Sequence, residues 1–199
     1  MCANFLEKIR VLFIVISSVK NWYMFVAIYF RLITADYAIL EMRNGIKIRL
    51  RVDSTDLMAF INVWILHDYE KSGLTINNND VVIDIGAHIG LFALFSSQFC
   101  KNGQIYCFEP VKENFDLLKS NIDLNNIENI TILNAAVSSE DGIVSMYLNN
   151  DNAGHSMHVH GAKKIDVRSI SLRNIFHTYS LKKCDFLKID CEGEEYNII

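Results

Sequence analysis

Val81-Val82-Ile83-Asp84-Ile85-Gly86-Ala87-His88-Ile89-Gly90, residues 81–90, decides how this chain is read. The first five residues form an apolar run interrupted only by Asp84, the pattern of a strand buried on both faces of a parallel sheet. Gly86 then permits a sharp turn and a close backbone approach to a ligand. Gly90 opens a helix expected over 90–100, whose free N–H groups favour an anionic group. A dinucleotide-binding turn requires G-x-G-x-x-G, and here only Gly86 and Gly90 stand in place. Taken alone, the stretch fits a tight strand-to-helix turn with no ligand equally well.

Downstream, the pattern alternates. Residues 104–108 read as a second strand, and 111–124 as a helix with Val111, Phe115, Leu118 and Ile122 along one stripe. Strands are expected at 130–133, 164–168 and 186–189, a helix at 171–178, and an added antiparallel strand at 142–148. Residues 149–162, rich in Asn, Gly and His, read as a loop. Strand–helix–strand alternation implies an α/β fold around a parallel sheet with right-handed crossovers.

Two further stretches fall at strand ends. Glu109 lies in Cys107-Phe108-Glu109-Pro110, 25 residues beyond Asp84. A carboxylate there can accept both hydroxyls of a ribose, because ligands of open α/β sheets bind at the carboxyl ends of the strands. The alternative is that Glu109 caps the following helix. In Leu187-Lys188-Ile189-Asp190-Cys191-Glu192-Gly193, Asp190 and Glu192 leave a strand and enter a turn. Such acids can hold a cation, orient a hydroxyl or take its proton; as plain first-turn acids they would complement a helix dipole.

Upstream, Asn44-Gly45 between alternating apolar residues marks a hairpin over 38–53. Asp53-Ser54-Thr55 caps a helix expected over 56–69, and Ser72-Gly73 and Asn77-Asn78-Asn79-Asp80 mark the next break. Residues 11–33 are almost wholly apolar and match the length needed to span a bilayer, but Lys20 and Asn21 split them into two runs. Three readings stand: a helical pair packed on the domain or a partner, a membrane-associated segment, or a cleaved signal. The chain thus divides into an apolar helical extension (1–37), a hairpin and helix cap (38–80), and a ligand-binding domain (81–199).

Composition bounds the function. Of 199 residues, 51% are hydrophobic and the net charge is only −4, so the chain folds rather than staying disordered. The sequence pI near 5.8 gives no basic footprint for nucleic acid. Five cysteines without a motif read as small buried hydrophobes in a reducing cytoplasm rather than a disulfide framework. His155, His158 and His160 crowd one loop, but no paired Cys or acid at metal spacing accompanies them, so no metal site is assigned.

Together, Asn44–Arg51 (NGIKIRLR), Asp53–Leu57, 81–90, 107–126, 130–142 and 187–196 resemble the FkbM family of S-adenosylmethionine-dependent methyltransferases; order and spacing, not any single block, make the resemblance specific. It implies a class I methyltransferase (Rossmann-like) doubly wound sheet that uses S-adenosyl-L-methionine. The implied reaction is methyl transfer to a hydroxyl of a small-molecule or glycan acceptor, a sugar or natural product. Asp84, Gly86, Ala87 and Gly90 match the cofactor loop, and Glu109 the ribose-binding acid. Asn134, Ala135 and Ala136 match the segment on the adenine side, and Asp190 and Glu192 the acids beside the methionine moiety and acceptor; a hydroxyl acceptor must lose a proton, and Asp190, Glu192, His88 and His155 are the candidate bases, the two acids favoured. His88 stands where the family usually has Asn, which implies a role bracing the backbone. The sequence ends at Ile199, before the last strands of such a sheet are expected. A non-catalytic cofactor-binding remnant, a split protein and a partner chain that completes the sheet are therefore expectations beside the full enzyme.

Overall fold

The computed structural model describes residues 5–70, 73, 75–148 and 163–191. They fall into two compact units, divided between Thr75 and Ile76.

In the first unit, α1 (Phe5–Ser18) and α2 (Trp22–Tyr29) are separated by Val19, Lys20 and Asn21, the last two being the polar pair in the middle of the apolar run. The break has a physical cause. The Lys20 ammonium reaches Glu41 Oε1 at 2.8 Å, and the Asn21 side chain donates to the Ile39 carbonyl and accepts from the Glu41 N–H. Both residues are thereby spent on β1 (Tyr37–Glu41), which pairs antiparallel with β2 (Lys47–Arg51). Val15, Val19, Phe25 and Ile28 bury the inner face of the helices, while Ala38, Leu40, Ile48 and Leu50 bury one face of the hairpin. The Asn44 side chain closes the hairpin turn by accepting from the Ile46 N–H. Among the described residues, no helix is long and apolar enough to cross a membrane.

The helix expected over 56–69 is shorter. It begins as α3 (Asp56–Phe60), widens into a π-helical turn over Ile61–Ile65, and stops at His67, where φ is +53°. The wide turn buries four of its five residues, Ile61, Val63, Trp64 and Ile65, which an unbroken α-helical repeat would spread around the axis.

The second unit holds β3 (Val81–Ile85), α4 (Leu91–Ser96), β4 (Gln104–Phe108), α5 (Lys112–Asn125), β5 (Ile130–Leu133), β6 (Ala136–Ser138), β7 (Gly142–Leu148), β8 (Lys163–Ser171), α6 (Leu172–Thr178) and β9 (Phe186–Ile189). Four strands form one wholly parallel sheet in the order β5-β4-β3-β9. The chain starts inside the sheet at β3, moves outward through β4 to β5, and then returns to the far side of β3. Strand order therefore reverses between β3 and β9, and that reversal is where open α/β sheets place ligands. Ile83, Ile85, Tyr106 and Phe108 pack one face against Ala135, Val137, Ile170 and Ile175. Asp84, one residue out of phase, projects to the opposite face.

A second sheet, ordered β6-β8-β7, stands beside these elements in the chain. Its antiparallel pair, β7 with β8, carries the added strand expected at 142–148. Strand β6 has only three residues, too few for an alternation to be read, and is held parallel to β8 through Ala136↔Ser169 to Ser138↔Ser171.

Candidate active site

Three strand exits meet at the reversal. Asp84, fully buried near the end of β3, accepts from the Lys188 ammonium at 2.9 Å through Oδ1. Its other oxygen, Oδ2, is buried with no hydrogen-bond partner among the described residues. Burial pushes the Asp84 carboxyl up, against the pull of the Lys188 charge, and Asp190 adds to the rise. Lys188 also donates to the Gly86 carbonyl at 2.9 Å and lies 3.8 Å from Asp190 Oδ2.

The turn after β3 is tightly fixed. The Gly86 and Ala87 N–H groups both donate to the Phe108 carbonyl at 3.0 Å, and the Asp190 N–H donates to the Ile85 carbonyl at 3.0 Å. Gly86 has φ +74°, and a Cβ there would lie 2.0 Å from the Asp190 carbonyl oxygen. Gly90 has φ +87° and faces Leu118 of α5. His88, at φ +51°, directs its N–H at Glu109 Oε2, 2.8 Å away. It braces the acid through its backbone. Asn121, buried in α5, donates to the Ile89 carbonyl and ties the far side of the turn to that helix.

Glu109 leaves β4 only 4% exposed. Besides His88, it accepts from the Val111 N–H at 2.9 Å and lies 3.5 Å from Asn114 Nδ2, both through Oε1. The capping geometry weighed from the sequence is thus present: Val111 is the N-cap of α5. Burial raises the Glu109 carboxyl to about 7, and the two backbone donors oppose that rise. Asn134 stands behind it and donates to the Glu109 and Pro110 carbonyls at 2.8 and 3.0 Å. Ala135 and Ala136 are buried, Ala135 in the core and Ala136 at the head of β6.

Asp84, Gly86, Ala87, His88, Gly90, Glu109, Asn134 and Asp190 are therefore linked, directly or through Lys188, Ile85 and Phe108, around one set of strand ends. Glu192 and the histidines of residues 155–160 lie outside the described residues. Sequence reasoning missed Lys188, Asn114 and Asn121. The signal for Lys188 was a cation inside an apolar strand, between Leu187 and Ile189.

An open parallel sheet with a strand-order reversal, a glycine turn and acids on adjacent exits defines a Rossmann-like ligand-binding domain. The chain belongs to the methyltransferase FkbM domain family, whose model matches residues 84–199. It is 26% identical over 166 residues to methyltransferase sdnD of Sordaria araneosa, covering 67% of this chain and 63% of that protein. It is 32% identical over 78 residues to 31-O-demethyl-FK506 methyltransferase FkbM of Streptomyces tacrolimicus, covering 39% of this chain and 30% of that one. Among solved structures it is similar to methyltransferase FkbM of Methylobacillus flagellatus, at 16% identity and TM-score 0.47, covering 70% of this chain and 32% of that chain. The chain thus spans less than two thirds of the length of the curated relatives it matches.

Proposed function

We propose that the chain is an S-adenosylmethionine-dependent methyltransferase that methylates a hydroxyl oxygen of a small-molecule or glycan acceptor. Family membership supports methyl transfer. The observation that carries the cofactor is the convergence of Asp84, Glu109 and Asp190 on the exits of three adjacent strands, with Gly86 backed against the Asp190 carbonyl.

The residues fit such a ligand. Among the described residues Asp84 Oδ2 is a buried acceptor with no partner, and Glu109 Oε2 accepts the His88 N–H where a carboxylate oxygen can accept two donors. Glu109 would receive the ribose hydroxyls, Asp190 would balance the cationic methionine end beside the Lys188-paired Asp84, and Asn134 with Ala135 and Ala136 would border the adenine. When bound, the cofactor supplies an electrophilic methyl on a sulfonium sulfur. The chain's own work is to align the acceptor oxygen in line with that methyl and to take the hydroxyl proton as the new O–C bond forms. Asp190, whose side chain is 59% exposed beside Lys188, is the described candidate for that base, with Glu192 as the second.

Radiolabelled methyl donor incubated with a panel of hydroxylated acceptors tests the proposal. Label transferred to an acceptor oxygen, and lost in Asp190→Asn, is the expected result; labelled nitrogen or carbon products would contradict O-methylation.

A further inference from the structure

Lys188 sits in β9 directly opposite Asp84 of β3, and cross-strand neighbours project on the same face. Only 7% exposed, it places its ammonium 2.9 Å from Asp84 Oδ1, 2.9 Å from the Gly86 carbonyl, 3.8 Å from Asp190 Oδ2 and 5.9 Å from the centre of the Phe92 ring. Cys107 of β4 and Glu109 beyond it also feel its charge. A buried ammonium persists only where partners compensate it. The partners here are the end of β3, the carbonyl of the turn, and the acid of the next exit. We infer that Lys188 is a positioning residue for cofactor binding, holding the Gly86 carbonyl, Asp84 and Asp190 in one arrangement across the β3–β9 reversal.

This rests on the cofactor function proposed above and adds a division of labour to it. The charge of Asp84 is balanced inside the protein by Lys188, so Asp84 anchors the turn. Asp190, turned outward, is the acid left to meet a cation. Replacing Lys188 with an apolar residue leaves Asp84 buried without its counter-charge. Asp84 then takes a proton at lower pH and becomes an unpaired buried anion at higher pH. The damage therefore grows as pH rises, which loss of simple packing would not do.

The test uses the full chain with Lys188→Met and the double variant Asp84→Asn/Lys188→Met. Affinity for S-adenosylhomocysteine is measured by calorimetry at about pH 6 and about pH 8, each relative to wild type at the same pH, and the pair is repeated in a Glu109→Gln background, because Glu109 also feels the Lys188 charge. Amide hydrogen exchange over residues 86–90 is measured without ligand. Lys188→Met should weaken binding about tenfold or more at the higher pH and distinctly less at the lower, and the 86–90 amides should exchange faster. Wild-type affinity and exchange in Lys188→Met would overturn the inference, as would an equal loss at both pH values with unchanged exchange. Should Lys188→Met fail to fold, the double variant, which leaves no unpaired charge, carries the exchange test in its place. Wild-type protein that binds no S-adenosylhomocysteine would instead overturn the cofactor proposal, and the exchange experiment would still decide whether Lys188 fixes the turn.

Discussion

Gly86 and the Asp190 carbonyl are in such close apposition that a Cβ on Gly86 would fall 2.0 Å from that oxygen. This contact brings the first turn of the sheet against the exit of β9. Two neighbouring strands, far apart in sequence, thus share one rim. Gly86→Ala must move backbone rather than a flexible side chain, and it also places an alanine at φ +74°. The expected cost is roughly 2–5 kcal/mol. Urea unfolding of the variant against wild type measures it; a midpoint shift worth less than about 1 kcal/mol would mean that the rim is loosely joined.

Glu109 gives the protein a pH-dependent stability. Its carboxyl rises from 4.5 to about 7 on folding, chiefly through burial. A raised acid holds its proton more tightly in the folded state, so its contribution favours folding at low pH and is lost as pH rises from about 4.5 through about 7. The loss is on the order of 3 kcal/mol for a group this buried. Denaturant unfolding between about pH 5 and about pH 8 should show this decline, and Glu109→Gln should remove it. A slope of the same size in the variant would place its origin elsewhere.

Cofactor affinity should follow the opposite trend. The ionised carboxylate can accept a ligand hydroxyl on Oε2 beside the His88 N–H, whereas a proton on that oxygen presents a donor instead. Affinity for S-adenosylhomocysteine should therefore increase as pH rises through about 7, the value at which Glu109 ionises. Calorimetric titrations across that range would show a flat profile if Glu109 served only as a helix cap.

Much of this frame was legible beforehand, for physical reasons. Val81–Ile85 and Gln104–Phe108 are buried parallel strands, and burial on both faces writes a continuous apolar run into the sequence; Ile130–Leu133, half-buried at the sheet edge, keeps three apolar residues of its four. Lys20 and Asn21 announced a break because no apolar helix tolerates them without partners, which β1 supplies. Strand β6 left no trace, since three residues show no period. Lys188 was passed over for a different reason. Its neighbours look like core, and only the register that sets it opposite Asp84 turns an anomalous lysine into a compensated one. The partners of Glu109 were equally hidden, because two of them are backbone N–H groups that any residue carries.

The first unit has its own keystone. Asp56 is fully buried and accepts from the Arg51 backbone N–H, Nε and Nη2 at 2.8–2.9 Å. Removing one partner of such a pair strands the other, so Arg51→Met should destabilise the unit by about 3–5 kcal/mol. Replacing both, as Arg51→Met/Asp56→Leu, should recover a good part of that loss. Thermal unfolding of the two variants would contradict this if the double were no more stable than Arg51→Met.

Asn134 should matter to the site through the backbone alone. Its amide holds the Glu109 and Pro110 carbonyls at 2.8 and 3.0 Å. Asn134→Ala should cost about 1–2 kcal/mol of stability and weaken cofactor binding alongside, because Glu109 loses its fixed aim. Unchanged affinity in a folded variant would separate Asn134 from the site.

In the proposed complex, S-adenosylmethionine lies across the exits of β3, β4 and β9, gripped by Glu109. Isothermal titration of the full chain with S-adenosylmethionine at about pH 8, repeated with Glu109→Ala, addresses it most directly. Saturable binding by wild type, weakened by about 1–3 kcal/mol in the variant, is the predicted result. No saturable binding, or the same affinity in both proteins, would contradict it.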